Sequence, residues 1–167
     1  MVKLNKKGYL AVEVILASVV AVSIAVFLID LTVKMVNKTN DNYTNTLFLT
    51  DKALITNNLR KEIKKDIEKE KIGPIQRAYS NGKYTCNLKF AGGNTSNITI
   101  GGNEITYQSD REKKYSKTIN KDIKYSSIYI DKCGVENNYL IIKINFEDIF
   151  TTTNNRDIEI VLYNSTK

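Results

Sequence analysis

The stretch Tyr9–Ile29 limits what this chain can become more than any other part of it. It holds twenty-one residues with one charge, Glu13, and neither proline nor glycine. At about 1.5 Å per residue a helix over this run is roughly 30 Å long, the thickness of bilayer hydrocarbon. Lys3, Lys6 and Lys7 precede it, and basic residues beside a spanning helix favour the cytoplasmic side. Everything after Asp30 is then expected outside. A carboxylate at the middle of a bilayer costs on the order of 3 kcal/mol and less near an end. Glu13 therefore either sits at the headgroup boundary or has a positive partner.

Composition removes several function classes. The chain contains no histidine, so imidazole bases, His-ligated metals and His-based triads are excluded. Its two cysteines, Cys86 and Cys133, are far apart and form no metal-knuckle spacing. The net charge is +7, but without the three leading lysines 22 basic residues face 18 acidic ones. A surplus that small, spread over the chain, does not mark a nucleic-acid binder. Nucleophile elbows, phosphate loops and paired catalytic carboxylates are not visible either. Neither enzyme activity, a metal nor a cofactor is expected.

Lys6-Lys7-Gly8-Tyr9, then Glu13 five residues after the glycine, then the unbroken apolar run: this resembles the leader and cleavage site of type IV prepilins and pseudopilins. The resemblance covers about thirty residues. It implies that a prepilin peptidase cuts after Gly8, that Tyr9 becomes an N-methylated N-terminus, and that Glu13 pairs with the N-terminal amine of a neighbouring subunit during assembly. Such a pairing makes a buried carboxylate tolerable in low dielectric. Many major pilins soften this helix with proline or glycine, whereas residues 9–36 here have neither. Ser23-Ile24-Ala25 offers ordinary signal peptidase a rival site, although the apolar run continues past Ala25.

Beyond the anchor, residues 37–73 are expected to continue as helix. Leu47, Ile55, Leu59, Ile63 and Ile67 recur near the helical period and form one apolar stripe. Glu62, Asp66 and Glu70 read as a solvated negative row beside Lys61, Lys65 and Lys69, with Glu62–Lys65 and Asp66–Lys69 as i,i+3 pairs. The polar section Asn37–Asn45 is a soft point, and Gly73-Pro74 reads as the helix stop. From residue 74 to 167 the period changes to short runs rich in Ile, Tyr, Val and Thr: KYTCNLKF, NITI, NEITYQS, KYSSIYID, NYLIIKINFE and DIEIVLYN. Gly101-Gly102-Asn103 reads as a tight hairpin. The expected fold class is α+β, a long N-terminal transmembrane helix packed on a mainly antiparallel sheet. The assignment is 1–8 leader, 9–36 transmembrane and filament-core helix, 37–73 helical continuation and 74–167 extracytoplasmic β-rich domain. This layout is similar to the larger minor pseudopilins of secretion and competence systems.

Two further features have two readings each, and a third is a chance match. Cys86 and Cys133 either form a disulfide, which would contribute about 3–4 kcal/mol by closing a long loop, or are buried thiols acting as small apolar residues. Arg111, Lys113, Lys114 and Lys117 interleave with Tyr115. They either stack bases and hold phosphates, where an uptake filament would touch DNA, or belong to a solvated strand edge on which lysine blocks pairing. Asn94-Thr95-Ser96 and Asn97-Ile98-Thr99 match a glycosylation pattern that arises freely in so Asn- and Thr-rich a chain.

The resemblance implies a structural subunit of a type IV pilus-like filament, with other pilin subunits, the prepilin peptidase and the cell membrane as partners. The alternatives are a tip subunit that itself binds DNA or another ligand, and an unrelated single-pass protein with an external binding domain.

Overall fold

The structure is a computed structural model describing residues 6–109, 112–123, 125–147 and 156–164, with the side chains of residues 6–9, 112 and 113 outside that description. One helix, α1 (Lys6–Ile67), is followed by eight strands. They are β1 (Ile72–Ser80), β2 (Lys83–Phe90), β3 (Thr95–Gly101), β4 (Glu104–Ser109), β5 (Glu112–Thr118), β6 (Ser127–Glu136), β7 (Tyr139–Glu147) and β8 (Arg156–Tyr163). The chain is α+β, with an apolar N-terminal helix and antiparallel strands in a five-stranded sheet β1–β5 and a three-stranded sheet β6–β8. It divides into two compact units, residues 1–43 and 44–167.

In the first unit every residue from Leu10 to Tyr43 is exposed. The section Asn37–Asn45, a soft point by composition, is helical. Three hydroxyls in the apolar part turn back onto their own helix, each 2.8 Å from a carbonyl oxygen: Ser18 to Ile15, Ser23 to Val19 and Thr32 to Leu28. This satisfies polar groups that hydrocarbon would leave stranded. Lys34 and Asp30 form an i,i+4 ion pair at 2.7 Å where the apolar run gives way to polar sequence.

In the second unit the helix buries a stripe of Thr44, Phe48, Asp51, Ile55, Leu59, Ile63, Asp66 and Ile67. The spacing of three and four is that of one helical face. Leu47, on the expected stripe, is only half-buried at its margin. Against the stripe lie the inward residues of both sheets. Cys86, Leu88, Ile98, Ile100, Ile105 and Tyr107 come from the first, and Leu140, Ile142, Ile144, Ile158 and Ile160 from the second. Burying each aliphatic side chain stabilises the fold by about 1.5–3 kcal/mol. Phe48 meets Phe146 edge-on at 5.1 Å, tying the start of the stripe to β7.

Six strands coincide with the six runs read from the sequence; β1 and β5 do not. The helix also stops sooner than the expected boundary at residue 73. It ends at Ile67, and Gly73-Pro74 lie within β1 rather than capping it. A proline fits there because β1 is a sheet edge and its pairing with β2 is irregular between Ile72 and Ile75. Three two-residue hairpins set the registers. Asn81-Gly82 and Asn137-Asn138 both take positive φ, at 52° and 72°, then 50° and 64°. Gly102-Asn103 closes β3 onto β4, with Gly102 at φ 60°. These are backbone positions that Asn and Gly fill at little cost.

Three links bind the two sheets together. Cys86 of β2 and Cys133 of β6 are disulfide-bonded, with Cα atoms 6.4 Å apart. Arg77 of β1 donates to the Asp131 carbonyl of β6 at 2.9 Å. Asn164, buried just past β8, receives the Ile72 N–H at 2.9 Å and donates to the Ile72 carbonyl at 3.1 Å. Its amide thus stands in for a strand neighbour at the free edge of β1.

Candidate functional site

Two places gather chemistry-bearing residues, one in each unit. The first is the apolar half of α1. From Leu10 to Val36 its large apolar side chains stand open on all sides, with Val14 65% and Ile24 54% exposed. By length and composition this helix is able to cross a membrane. Glu13 is exposed among them, the only charge in the helix before Asp30 once past Tyr9. Gly8 lies in the helix by backbone; the side chain of Tyr9 falls outside the described residues. An all-round apolar surface on a long helix calls for lipid or for other helices.

The second place is a polar cluster between the helix end and the first sheet. Asp66 belongs by sequence to the supposed solvated row, yet it is 8% exposed. Its Oδ2 accepts the Tyr107 hydroxyl at 2.6 Å, and its Oδ1 meets Lys114 Nζ at 2.6 Å. Tyr107 is fully buried, and burial first, then the bond to Asp66, raise its pKa far above the ordinary tyrosine value. A hollow of about 180 Å³ opens beside the cluster, with Lys69, Glu70, Ser96 and Ser109 among its walls. Glu70 accepts from the Gly92 N–H at 3.1 Å and the Asn94 amide at 2.6 Å, and so holds the β2–β3 loop to the helix end. The expected Glu62–Lys65 pair is present at 2.7 Å; Asp66, by contrast, is buried against the sheet, and Glu70 is half-buried against the β2–β3 loop.

A bulge explains why lysine points inward on β5. Gln108 pairs with Lys113 and Tyr107 with Tyr115, leaving Lys114 as an extra residue. An inserted residue re-aims its side chain, here onto Asp66. Lys117, opposite the inward Ile105, reaches Asp51 at 3.1 Å. Asp51, itself 6% exposed, also accepts the Asn120 N–H at 2.8 Å. Tyr115 is half-buried against the core, and burial raises its pKa.

Of the residues read as a DNA surface, Lys114, Lys117 and Tyr115 are therefore engaged within the domain. Arg111 and the side chain of Lys113 lie outside the described residues. What sequence reasoning missed was the pairing of Asp51 and Asp66 with β5. Their positions on the stripe, three or four residues from Phe48, Ile55 and Ile63, were the available signal. Among the described residues no group of three His, Cys, Asp or Glu is arranged to hold a metal.

Compared with protein-family models, with curated proteins and with solved structures, the chain matches none.

Proposed function

We propose that this chain is a structural subunit of a type IV pilus-like filament, of the minor-pilin or pseudopilin kind. The observation that carries the proposal is the first half of α1, exposed and apolar on every side from Leu10 to Val36 and broken only by Glu13 and Asp30–Lys34. Lys6-Lys7-Gly8-Tyr9 stands immediately before it. The same helix carries, further on, the stripe on which an antiparallel α+β domain is built. In this reading a prepilin peptidase cuts after Gly8. The helix waits in the cell membrane with the domain outside, then packs among other subunits in the filament core. Glu13 meets a neighbour's N-terminal ammonium, which offsets the cost of a carboxylate among apolar helices. Catalysis is left to separate proteins.

Mass spectrometry of the mature chain, expressed with a prepilin peptidase, tests the processing step. The expected N-terminus is N-methylated Tyr9. An intact Met1, or a start at Val26 as the Ser23-Ile24-Ala25 site would give, refutes it. Glu13→Ala should leave cleavage intact and impair incorporation into filaments; full incorporation would remove the charge-pairing role.

A further inference from the structure

β5 is the strand of the larger sheet that the core holds least. Among the described strands it is an edge, hydrogen-bonded to β4, and a bulge interrupts that pairing between Tyr107 and Gln108. Its neighbours each sink buried apolar side chains towards the helix: Cys86, Leu88 and Phe90 from β2, Ile98 and Ile100 from β3, Ile105 and Tyr107 from β4. From 114 to 118, by contrast, no residue is fully buried, and it is Tyr115 that packs against the core, half-covered. The links that bind the two sheets, Cys86 to Cys133, Arg77 to Asp131 and Asn164 to Ile72, all bypass this strand.

What fastens β5 to the helix is charge. Lys114 Nζ lies 2.6 Å from Asp66 Oδ1 and Lys117 Nζ 3.1 Å from Asp51 Oδ1, and the two carboxylates stand about four turns apart on α1. The exposed Ser116 hydroxyl adds a bond to Glu104 on β4. Fastenings of this kind differ from apolar ones in what release costs. An apolar side chain that leaves a core gains nothing from water. When an ion pair parts and both ions reach water, hydration returns much of the lost Coulomb attraction. Lifting β5 carries both lysines into solvent and uncovers both carboxylates, so neither charge is left stranded. The chain is pinned just beyond. Ile119 and Ile123 are buried, and the Ile119 N–H donates to the Asn103 carbonyl at 2.8 Å. Asp51 accepts the Asn120 N–H at 2.8 Å on that pinned side.

We propose that β5 is a strap, closed by the Lys114–Asp66 and Lys117–Asp51 pairs, that lifts from β4 and the helix as one piece while the rest of the domain stays folded. Lifting frees the outer edge of β4. It is the lifted form in which Lys114, Tyr115 and Lys117 together meet solvent and Asp51 and Asp66 lie open on the helix. The strap thus exchanges internal ion pairs for a cationic strand beside an acidic stretch of helix, changing the pattern of surface charge without changing its sum. Regions with few buried apolar contacts open at a lower free energy than the core around them, and β5 is such a region bounded by a firm anchor at Ile119. This device does not depend on the filament reading.

Hydrogen exchange of the full chain in detergent micelles is the test, read at residues 114–118 and, for the domain as a whole, at residues 140–146 of β7, the central strand of the smaller sheet. The ladder amides of the strap should be about a hundredfold or more less protected than those of β7, with a shallower urea dependence because less surface opens. Lys114→Met strands Asp66 in the closed form and not in the lifted one, so it should speed exchange of the strap on the order of tenfold or more. Asp51→Asn keeps an acceptor for the Asn120 N–H, loses the charge that Lys117 meets, and should act in the same direction. It carries the test if Lys114→Met loses its cooperative melt. Asn164→Ala weakens a link present in both forms of the strap. It should speed β7 and leave residues 114–118 unchanged within about twofold, as for distant independent sites. The proposal is overturned if residues 114–118 share the protection and urea slope of β7, or if neither charge variant speeds them. It is also overturned if Asn164→Ala speeds them as much as the charge variants do, since β5 then opens only with the whole domain.

Discussion

Replacing Lys114 by methionine puts the polar cluster to the most direct trial. Methionine keeps the length and apolar stem of lysine, so packing is nearly conserved and the change is the lost ammonium. Asp66, with its side chain 10% exposed, then keeps a carboxylate whose remaining donor is the Tyr107 hydroxyl at 2.6 Å. Removing one partner of a buried ion pair costs about 3–5 kcal/mol. The lysine side chain is 20% exposed, so water reaches the pair and screens it, and Tyr107 still satisfies one oxygen. A loss of about 2–3 kcal/mol is the expected result. Asp66→Asn should cost less, about 1–2 kcal/mol, because its carbonyl still accepts from Tyr107 and the freed lysine can swing to solvent. Together the two variants should cost less than the sum of the singles. The chain has ten tyrosines and no tryptophan, so tyrosine fluorescence in urea follows the domain. A thermal melt should fall by about 6–15 °C for Lys114→Met. Stability unchanged within about 0.5 kcal/mol, or Asp66→Asn costing more than Lys114→Met, would show that the cluster is no more than a surface pair.

Tyr107, Tyr115 and Tyr125 all have raised pKa values in the fold, burial being the first cause of each. Their neutral forms are favoured by folding, so their contribution is complete below pH about 10 and is lost above it as the unfolded chain ionises. The urea midpoint should fall from about pH 10 upward, and Tyr107→Phe should flatten that fall by about 1.4 kcal/mol per pH unit. An unchanged slope would place the Tyr107 hydroxyl in water. Changing Cys86 and Cys133 together to serine should cost about 3–4 kcal/mol by chain entropy; thiol counting should find two alkylatable groups only after reduction, and two before it would show the bond is absent. Asn164→Ala strands both backbone groups of Ile72 and should cost about 2–4 kcal/mol. Hydrogen exchange at the Ile72 amide should accelerate with it, and no acceleration would dissociate that amide from Asn164.

The long apolar helix, the helical stripe and six of the eight described strands were legible because each imposes a period or a length on a short window of sequence. The two strands that were missed lacked such a signal for opposite reasons. β1 is an edge whose residues beyond Ile75 are exposed on both faces, so no alternation marks it, and Pro74 suggested a break. Asn81-Gly82 was the clue, since that dipeptide favours a two-residue hairpin and a hairpin needs a strand on each side. β5, reading Glu-Lys-Lys-Tyr-Ser-Lys-Thr, has lysines where a strand facing a core should have apolar residues. It is a strand because Asp51 and Asp66 wait on the helix, 66 and 48 residues earlier in the chain, to neutralise Lys117 and Lys114.

Each of these four residues looks like solvated charge when taken alone, and each is buried or half-buried in the fold. Only the pairs make sense, and pairing at that separation leaves no trace in a local pattern. On the inner face of the larger sheet, which charges meet the helix is set by cross-strand register. The feature that register does not touch is the apolar helix with Glu13, which is why the filament reading could be stated from sequence and the buried charge pairs could not.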